Sequence, residues 1–284
     1  LIKSLHDYVG RDVPAFLLAG LPLLHTSKID PSKRSVETEI SGMGDTDQTR
    51  GERQTRDPAM PDRVTIMEVG PRDGLQFEKK NLPTPLKVEL ISDLVEAGLQ
   101  EIQVASFVNP GIVPQMADAD TLVAQLPKQA GVVYNGLVLN LKGVERAAAA
   151  GLKSVEISIS ASETHSLKNV NMTLQEATVQ AADMIRLSKE LGLAIRGGIQ
   201  CAFGFLDEEN IPFERIQRMV EGFLEEGIEV LCLSDTTGMA DPVKIDATLE
   251  NICPLVGDLD VALHLHDTRG LGLVNIQTAL KHGL

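Results

Sequence analysis

The chain has 284 residues, with 26 Lys and Arg against 40 Asp and Glu and a formal net charge of −14. That balance excludes a protein that coats nucleic acid through a basic surface, because a polyanion needs the opposite sign. Hydrophobic residues make up 43% of the chain and charged residues 23%, which excludes wholesale disorder and leaves a core to bury.

Near the N-terminus the longest apolar run, residues 16–24 (FLLAGLPLL), is shorter than the ~20 residues a helix needs to cross a bilayer and is broken by Pro22. No membrane partner is expected. Residues 26–63 are rich in Ser, Thr, Asp, Arg and Gly and show neither the helical nor the strand period, so residues 1–63 read as a flexible arm or linker ahead of a domain over 64–284. The chain begins with Leu, which reads as a fragment or a processed product. Over residues 1–60 nine acidic side chains face eight basic ones, which argues against a mitochondrial transit peptide and places the negative charge in the domain. Cys201, Cys232 and Cys253 are widely spaced and suggest neither a disulfide framework nor a zinc knuckle, so a reducing cytoplasm is the default location.

From Val64 onward, short β-rich runs alternate with longer amphipathic segments. Strands are expected at 64–69, 101–107, 132–139, 154–160, 194–203, 229–234 and 261–266. Helix starts are marked by Thr84 before Pro85, by Thr173 with Glu176 as a capping box, and by Asp241 before Pro242. Gly98, Gly151, Gly192 and Gly227 mark helix ends. Strict βα alternation predicts a parallel sheet, either open and doubly wound or closed as a (β/α)8 barrel. No GxGxxG follows the first strand; the turn there is GPRDGLQ (70–76), whose charged residues suit the C-terminal mouth of a barrel. The expected fold is therefore a TIM barrel that lacks its eighth strand and C-terminal helices. Such an opening would expose two sheet edges and favour aggregation or pairing with another chain.

HLHD at 264–267 is the sharpest chemical feature. Side chains two apart on a strand share a face, so His264 and His266 project together, either as metal ligands or as a hydrogen-bonded pair in a polar layer. Asp73 lies just past the first strand, at the same mouth of a parallel barrel, and could supply a third ligand. Two imidazoles and one carboxylate with open positions suit Mg²⁺ or Mn²⁺, with zinc still possible. Arg72 offers a permanent positive charge for an enolate or carboxylate, or else forms a solvated pair with its neighbour.

Together, GPRDGLQ (70–76), residues 106–120, 140–151 and 160–171, SDTTG (234–238) and HLHDTRGLGLVN (264–275) resemble the 3-hydroxy-3-methylglutaryl-CoA lyase family. The resemblance runs from about Val64 to the last residue. Leu75 favours this branch over the related condensing synthases, which carry Glu at that place; a synthase and a non-catalytic barrel segment remain the competing readings. The resemblance implies a metal-dependent retro-Claisen cleavage of a branched 3-hydroxyacyl-CoA on a (β/α)8 barrel. The 3-hydroxy-3-methylglutaryl thioester would give acetyl-CoA and acetoacetate, with citramalyl-CoA or a longer branched glutaryl-CoA as alternative substrates. It implies Asp73, His264 and His266 as metal ligands, and Arg72, Asp73 and Asp235 as catalytic. Gln76, Gln103, Ser106, Asn140 and Thr236 are implied as substrate contacts, an acyl-CoA as the partner, and a homodimer as the assembly. For Asp235 a turn-capping role competes with acid–base work.

The sequence departs from the family pattern at four places. Gln103 replaces a Glu, Phe77 an Asn, Phe205 a Cys and Arg269 a Tyr. The family's glycine-rich loop, with a cysteine and a further Asn ligand, would lie beyond Leu284, which implies that the chain as given is inactive. Cys201 at the mouth end of the fifth strand, His165 and the Lys79–Lys80 pair are weaker site candidates, each with a plain structural alternative.

Overall fold

The computed structural model describes residues 60, 61, 63–206 and 210–284; the expected arm, apart from Met60, Pro61 and Arg63, lies outside the described residues. Seven strands form one parallel sheet in chain order: β1 (Met67–Glu68), β2 (Glu101–Ser106), β3 (Val133–Val138), β4 (Ser154–Ser160), β5 (Ala194–Gln200), β6 (Val230–Asp235) and β7 (Asp260–Leu265). The connecting helices are α1 (Thr84–Glu96), α2 (Ala119–Gln125), α3 (Leu141–Ala150), α4 (Glu163–Val170), α5 (Leu174–Glu190), α6 (Phe213–Glu226), α7 (Pro242–Val256) and α8 (Gly272–Leu280). Among the described residues no helix is long and apolar enough to cross a membrane.

The sheet curls. β1 and β7 stand at its two ends, yet Asp73, five residues past β1, lies 3.1 Å from His266 just beyond β7. Adjacent strands sit ~4.8 Å apart, so a flat seven-stranded sheet would hold these ends roughly 29 Å from each other. Among the described residues the architecture is a (β/α)8 barrel less its eighth strand, as the alternation predicts.

The inner strands have two buried faces of different chemistry. On β4, Val155, Ile157 and Ile159 point to the helices, and Glu156, Ser158 and Ser160 alternate with them on the lumen side. The helix-facing layer joins Ile102, Val104, Ile195, Leu231 and Leu233 to Ile91, Val144, Ile185, Ile216 and Leu249 from the helices. Each fully buried side chain of this kind stabilises the fold by ~1.5–3 kcal/mol.

Helix ends follow the local sequence with one exception. Thr173 and Glu176 form the reciprocal capping box, and Asp241 accepts the Lys244 N–H at 2.9 Å. Gly98, Gly151, Gly192 and Gly227 all have positive φ, the conformation that a chain leaving a helix adopts at least cost with glycine. At α1 the cap is Pro83; Thr84 is already helical, and its hydroxyl donates to Asp118 at 2.7 Å. β1 is shorter than expected, with Val64 and Ile66 exposed, and β5 stops at Gln200 because Cys201 takes a left-handed φ of 57°.

The β3–α3 turn is closely packed. Asn140 accepts the Gly143 N–H at 2.8 Å, and a Cβ at Gly143 would lie 2.6 Å from the backbone oxygen of Phe107. Gly143→Ala is expected to destabilise the protein by ~1–3 kcal/mol, read as a lower urea midpoint; an unchanged midpoint would mean that the turn relaxes freely.

Candidate metal centre

The site starts at the β1 exit. Pro71 in the GPRDG segment favours a tight turn, and residues Gly70–Gly74 form one π-helical turn in which Arg72 and Asp73 both donate their N–H to the Val69 carbonyl, at 3.1 and 2.6 Å. The turn lifts Asp73 to the mouth and leaves the Arg72 side chain buried beneath it.

Asp73 Oδ2 lies 3.1 Å from His266 Nε2 and 3.4 Å from His264 Nε2. The two imidazoles meet edge to face, with ring centroids 5.1 Å apart. One ligand atom from each of Asp73, His264 and His266 falls within 4.8 Å of the others. The expected trio is therefore brought together by β7 alternation and by the curl of the sheet.

The polar surroundings orient each group. His266 Nδ1 lies 2.9 Å from the Thr236 carbonyl, so its N–H is used there and Nε2 is left with a lone pair. That lone pair faces a carboxylate oxygen, a pairing that is repulsive unless a proton or a cation lies between them. Hydrogen bonding to Asp73 accordingly raises the His266 pKa against the opposing effect of burial. Burial also resists ionisation of Asp73, yet hydrogen bonds from His264 and His266 and the charge of Arg72 hold its carboxyl well below the usual range. A carboxylate and two imidazoles whose lone pairs converge fit a divalent cation, and the Thr236 carbonyl supplies the outer partner that fixes a ligating histidine.

Arg72 Nη1 donates to Asp73 Oδ1 at 2.6 Å, and its Nε donates to Gln103 at 2.5 Å. Ser106, fully buried, donates to Gln76 at 3.1 Å. Asn140 caps α3. Thr236 accepts the Cys201 N–H on its hydroxyl at 2.8 Å. Asp235 caps its own turn: Oδ1 accepts from Met239 and Ala240, at 2.6 and 3.0 Å, while Oδ2 is buried without a hydrogen-bond partner. Burial raises its pKa despite those bonds.

Of the departures from the family pattern, Phe77 is exposed and Phe205 is buried. The His165 ring lies edge-on to Phe205 at 5.3 Å, and burial, then the charge of Lys168, lowers its pKa. Arg269 donates to the Gly238 and Ala240 carbonyls and pins the Asp235 turn from outside. Leu75 belongs to the core.

Sequence reasoning missed the lumen layer below this mouth. Asn135 and Glu156 are buried there and hydrogen bond to Gln103. The signal was the alternation in SVEISIS: on a strand buried on both sides, regularly spaced Ser and Glu mean a polar lumen.

A curled parallel barrel with two imidazoles, a carboxylate and a guanidinium at its C-terminal mouth defines a TIM-barrel protein with a candidate metal site. The HMGL-like family model matches residues 63–284. Hydroxymethylglutaryl-CoA lyase of Bacillus subtilis is 37% identical over 224 residues, covering 79% of this chain and 75% of that protein. Mitochondrial hydroxymethylglutaryl-CoA lyase of Gallus gallus is 38% identical over 226 residues, covering 80% and 76%. An HMG-CoA lyase from Acinetobacter baumannii, solved with coenzyme A and 3-methylmalate, superimposes with a TM-score of 0.75 at 34% identity over 78% of this chain and 72% of that one. The chain belongs to the HMGL-like family.

Proposed function

We propose that this protein is a divalent-metal-dependent carbon–carbon lyase that cleaves 3-hydroxy-3-methylglutaryl-CoA to acetyl-CoA and acetoacetate. The observation that carries the reading is the convergence of Asp73, His264 and His266, with Arg72 hydrogen-bonded to the same Asp73 carboxylate. Identity to lyases of that name over most of the chain supports the substrate. The coenzyme A in the related structure supports an acyl-CoA partner.

Asp73, His264 and His266 would hold Mg²⁺ or Mn²⁺, which when bound acts as a Lewis acid toward oxygen ligands. The reaction moves the C3 hydroxyl proton to a base, breaks C2–C3 with its electron pair left on C2, and protonates that enolate. Asp235 is the candidate base: burial raises its proton affinity, and Oδ2, itself buried, is the oxygen without a hydrogen-bond partner. Arg72, nearly excluded from water, stabilises the enolate oxygen more strongly than an exposed cation would. Gln76 and Thr236 are the proposed contacts of the acyl portion, as the resemblance implies, whereas Ser106 is completely buried and would act through its hydrogen bond to Gln76. Gln103 and Asn140 spend their side chains on internal bonds and shape the site from behind. A cytoplasmic location and a homodimer complete the reading.

The test offers 3-hydroxy-3-methylglutaryl-CoA and citramalyl-CoA separately to the full-length protein with Mg²⁺ or Mn²⁺ and follows products by mass spectrometry. Acetyl-CoA with acetoacetate from the first is expected. Pyruvate from the second alone would shift the substrate to citramalyl-CoA, and no product from either would overturn the lyase reading.

A further inference from the structure

The lumen beneath Arg72 holds a directed chain of hydrogen bonds. Gln103 and Asn135 are completely buried, and Glu156 is 4% exposed. Gln103 accepts from Arg72 Nε at 2.5 Å, and its Nε2 donates to Asn135 Oδ1 at 3.0 Å and to Glu156 Oε2 at 3.1 Å. The register between β2 and β3 slips at this residue, between Gln103 and Ala105, a bulge of the kind that re-aims a side chain.

These bonds fix which way round the Gln103 amide sits. An amide has one acceptor end and two N–H groups. A carboxylate at Glu156 can only accept, and Asn135 turns its oxygen to Gln103 because its own Nδ2 donates to Ser154 at 2.9 Å. With both N–H groups held, the oxygen faces Arg72. A flipped amide would set N–H against the guanidinium N–H and oxygen against two acceptors. Ser158 donates to the second Glu156 oxygen at 3.0 Å and holds the carboxylate in place.

We propose that Glu156 is a positioning residue for Arg72, acting through the Gln103 amide. The Glu156 carboxyl group lies one side chain behind the guanidinium, so Arg72 is oriented on its Nε side by a neutral acceptor while Nη1 pairs with Asp73. This rests on the lyase reading for the role of Arg72, while the geometry it describes does not.

The experiment uses the full-length protein and two readouts: steady-state cleavage of 3-hydroxy-3-methylglutaryl-CoA, and the ¹⁵N–¹H resonance of the Arg72 Nε–H, assigned by its loss in Arg72→Lys. Glu156→Gln preserves shape and lets the amides reorient. It is expected to lower kcat ~10–100-fold, as loss of an outer-shell partner does, with KM changed by less than about threefold. The Nε–H should also exchange with solvent faster. In the swap Gln103→Glu/Glu156→Gln, a carboxylate accepts from Arg72 and an amide behind it donates, so kcat and Nε–H protection should return to within about threefold of wild type. Wild-type kcat and an unchanged Nε–H in Glu156→Gln would overturn the proposal. If that variant fails to fold, the swap decides by the same readouts: recovery supports the relay and loss of both overturns it. If the wild type cleaves neither thioester, the lyase reading falls, and the Nε–H resonance alone still decides whether Glu156 positions Arg72.

Discussion

His266→Ala is expected to abolish turnover and to weaken Mn²⁺ binding at least ~100-fold, since loss of an outer-shell partner alone costs ~10–100-fold and this change removes a proposed ligand. His264 Nε2 lies 3.4 Å from Asp73, so the variant would keep a carboxylate and one imidazole for the ion. The surface pair His282–Asp246, at 2.9 Å, is a matched control: His282→Ala removes a histidine–carboxylate contact of the same kind and should leave Mn²⁺ affinity and kcat unchanged. Titration of Mn²⁺ by calorimetry or electron paramagnetic resonance reads the first quantity, and acetyl-CoA release reads the second. Equal Mn²⁺ affinity in wild type and His266→Ala would place the ion elsewhere.

The same contact gives the pH dependence a sign. Asp73 raises the His266 pKa, so in the ion-free protein the ring stays protonated to higher pH than an ordinary histidine. A proton on Nε2 and a cation compete for the same lone pair. Ion affinity should therefore fall as pH falls, and the fall should begin above the ordinary histidine range. His266→Ala should remove that dependence along with the affinity.

The trio was legible because two local rules suffice for it. Alternation puts His264 and His266 on one face of β7, and a parallel barrel brings the ends of β1 and β7 to one mouth. All seven strands were legible for the same reason, although β1 shrank where Val64 and Ile66 found no partner and β5 ended at the left-handed Cys201. Thr84 misled because its hydroxyl reaches Asp118, a contact between α1 and the start of α2 that local helix signals do not contain. The lumen network was illegible in detail. Which residue of β2 meets which of β3 and β4 depends on inter-strand register, and the slip at Gln103 is not encoded in any local period. Gln103 read in isolation is a neutral substitute for a carboxylate; placed beside Glu156, it becomes the link between Arg72 and a carboxylate two strands further on.

Arg72→Gln should lower kcat by ~10²–10³-fold while leaving KM nearly constant, the loss found when one donor to a developing oxyanion is removed. Arg72 is 6% exposed, so its interaction with an enolate oxygen is little screened by water. Arg72→Lys is the sharper variant. It keeps the charge but loses the planar fork that reaches Gln103 through Nε and Asp73 through Nη1 at once. If charge alone served the reaction, lysine would restore most of kcat; if orientation matters, Arg72→Lys should remain within about tenfold of Arg72→Gln. Mn²⁺ affinity separates this from damage to the metal centre. Arg72 helps to hold the Asp73 carboxylate ionised, but the two histidines act on the same carboxylate, so the ion should bind both variants with far smaller losses than His266→Ala. A variant that loses Mn²⁺ as completely as His266→Ala would instead make Arg72 a support of the metal ligand, with no separate part in stabilising the enolate.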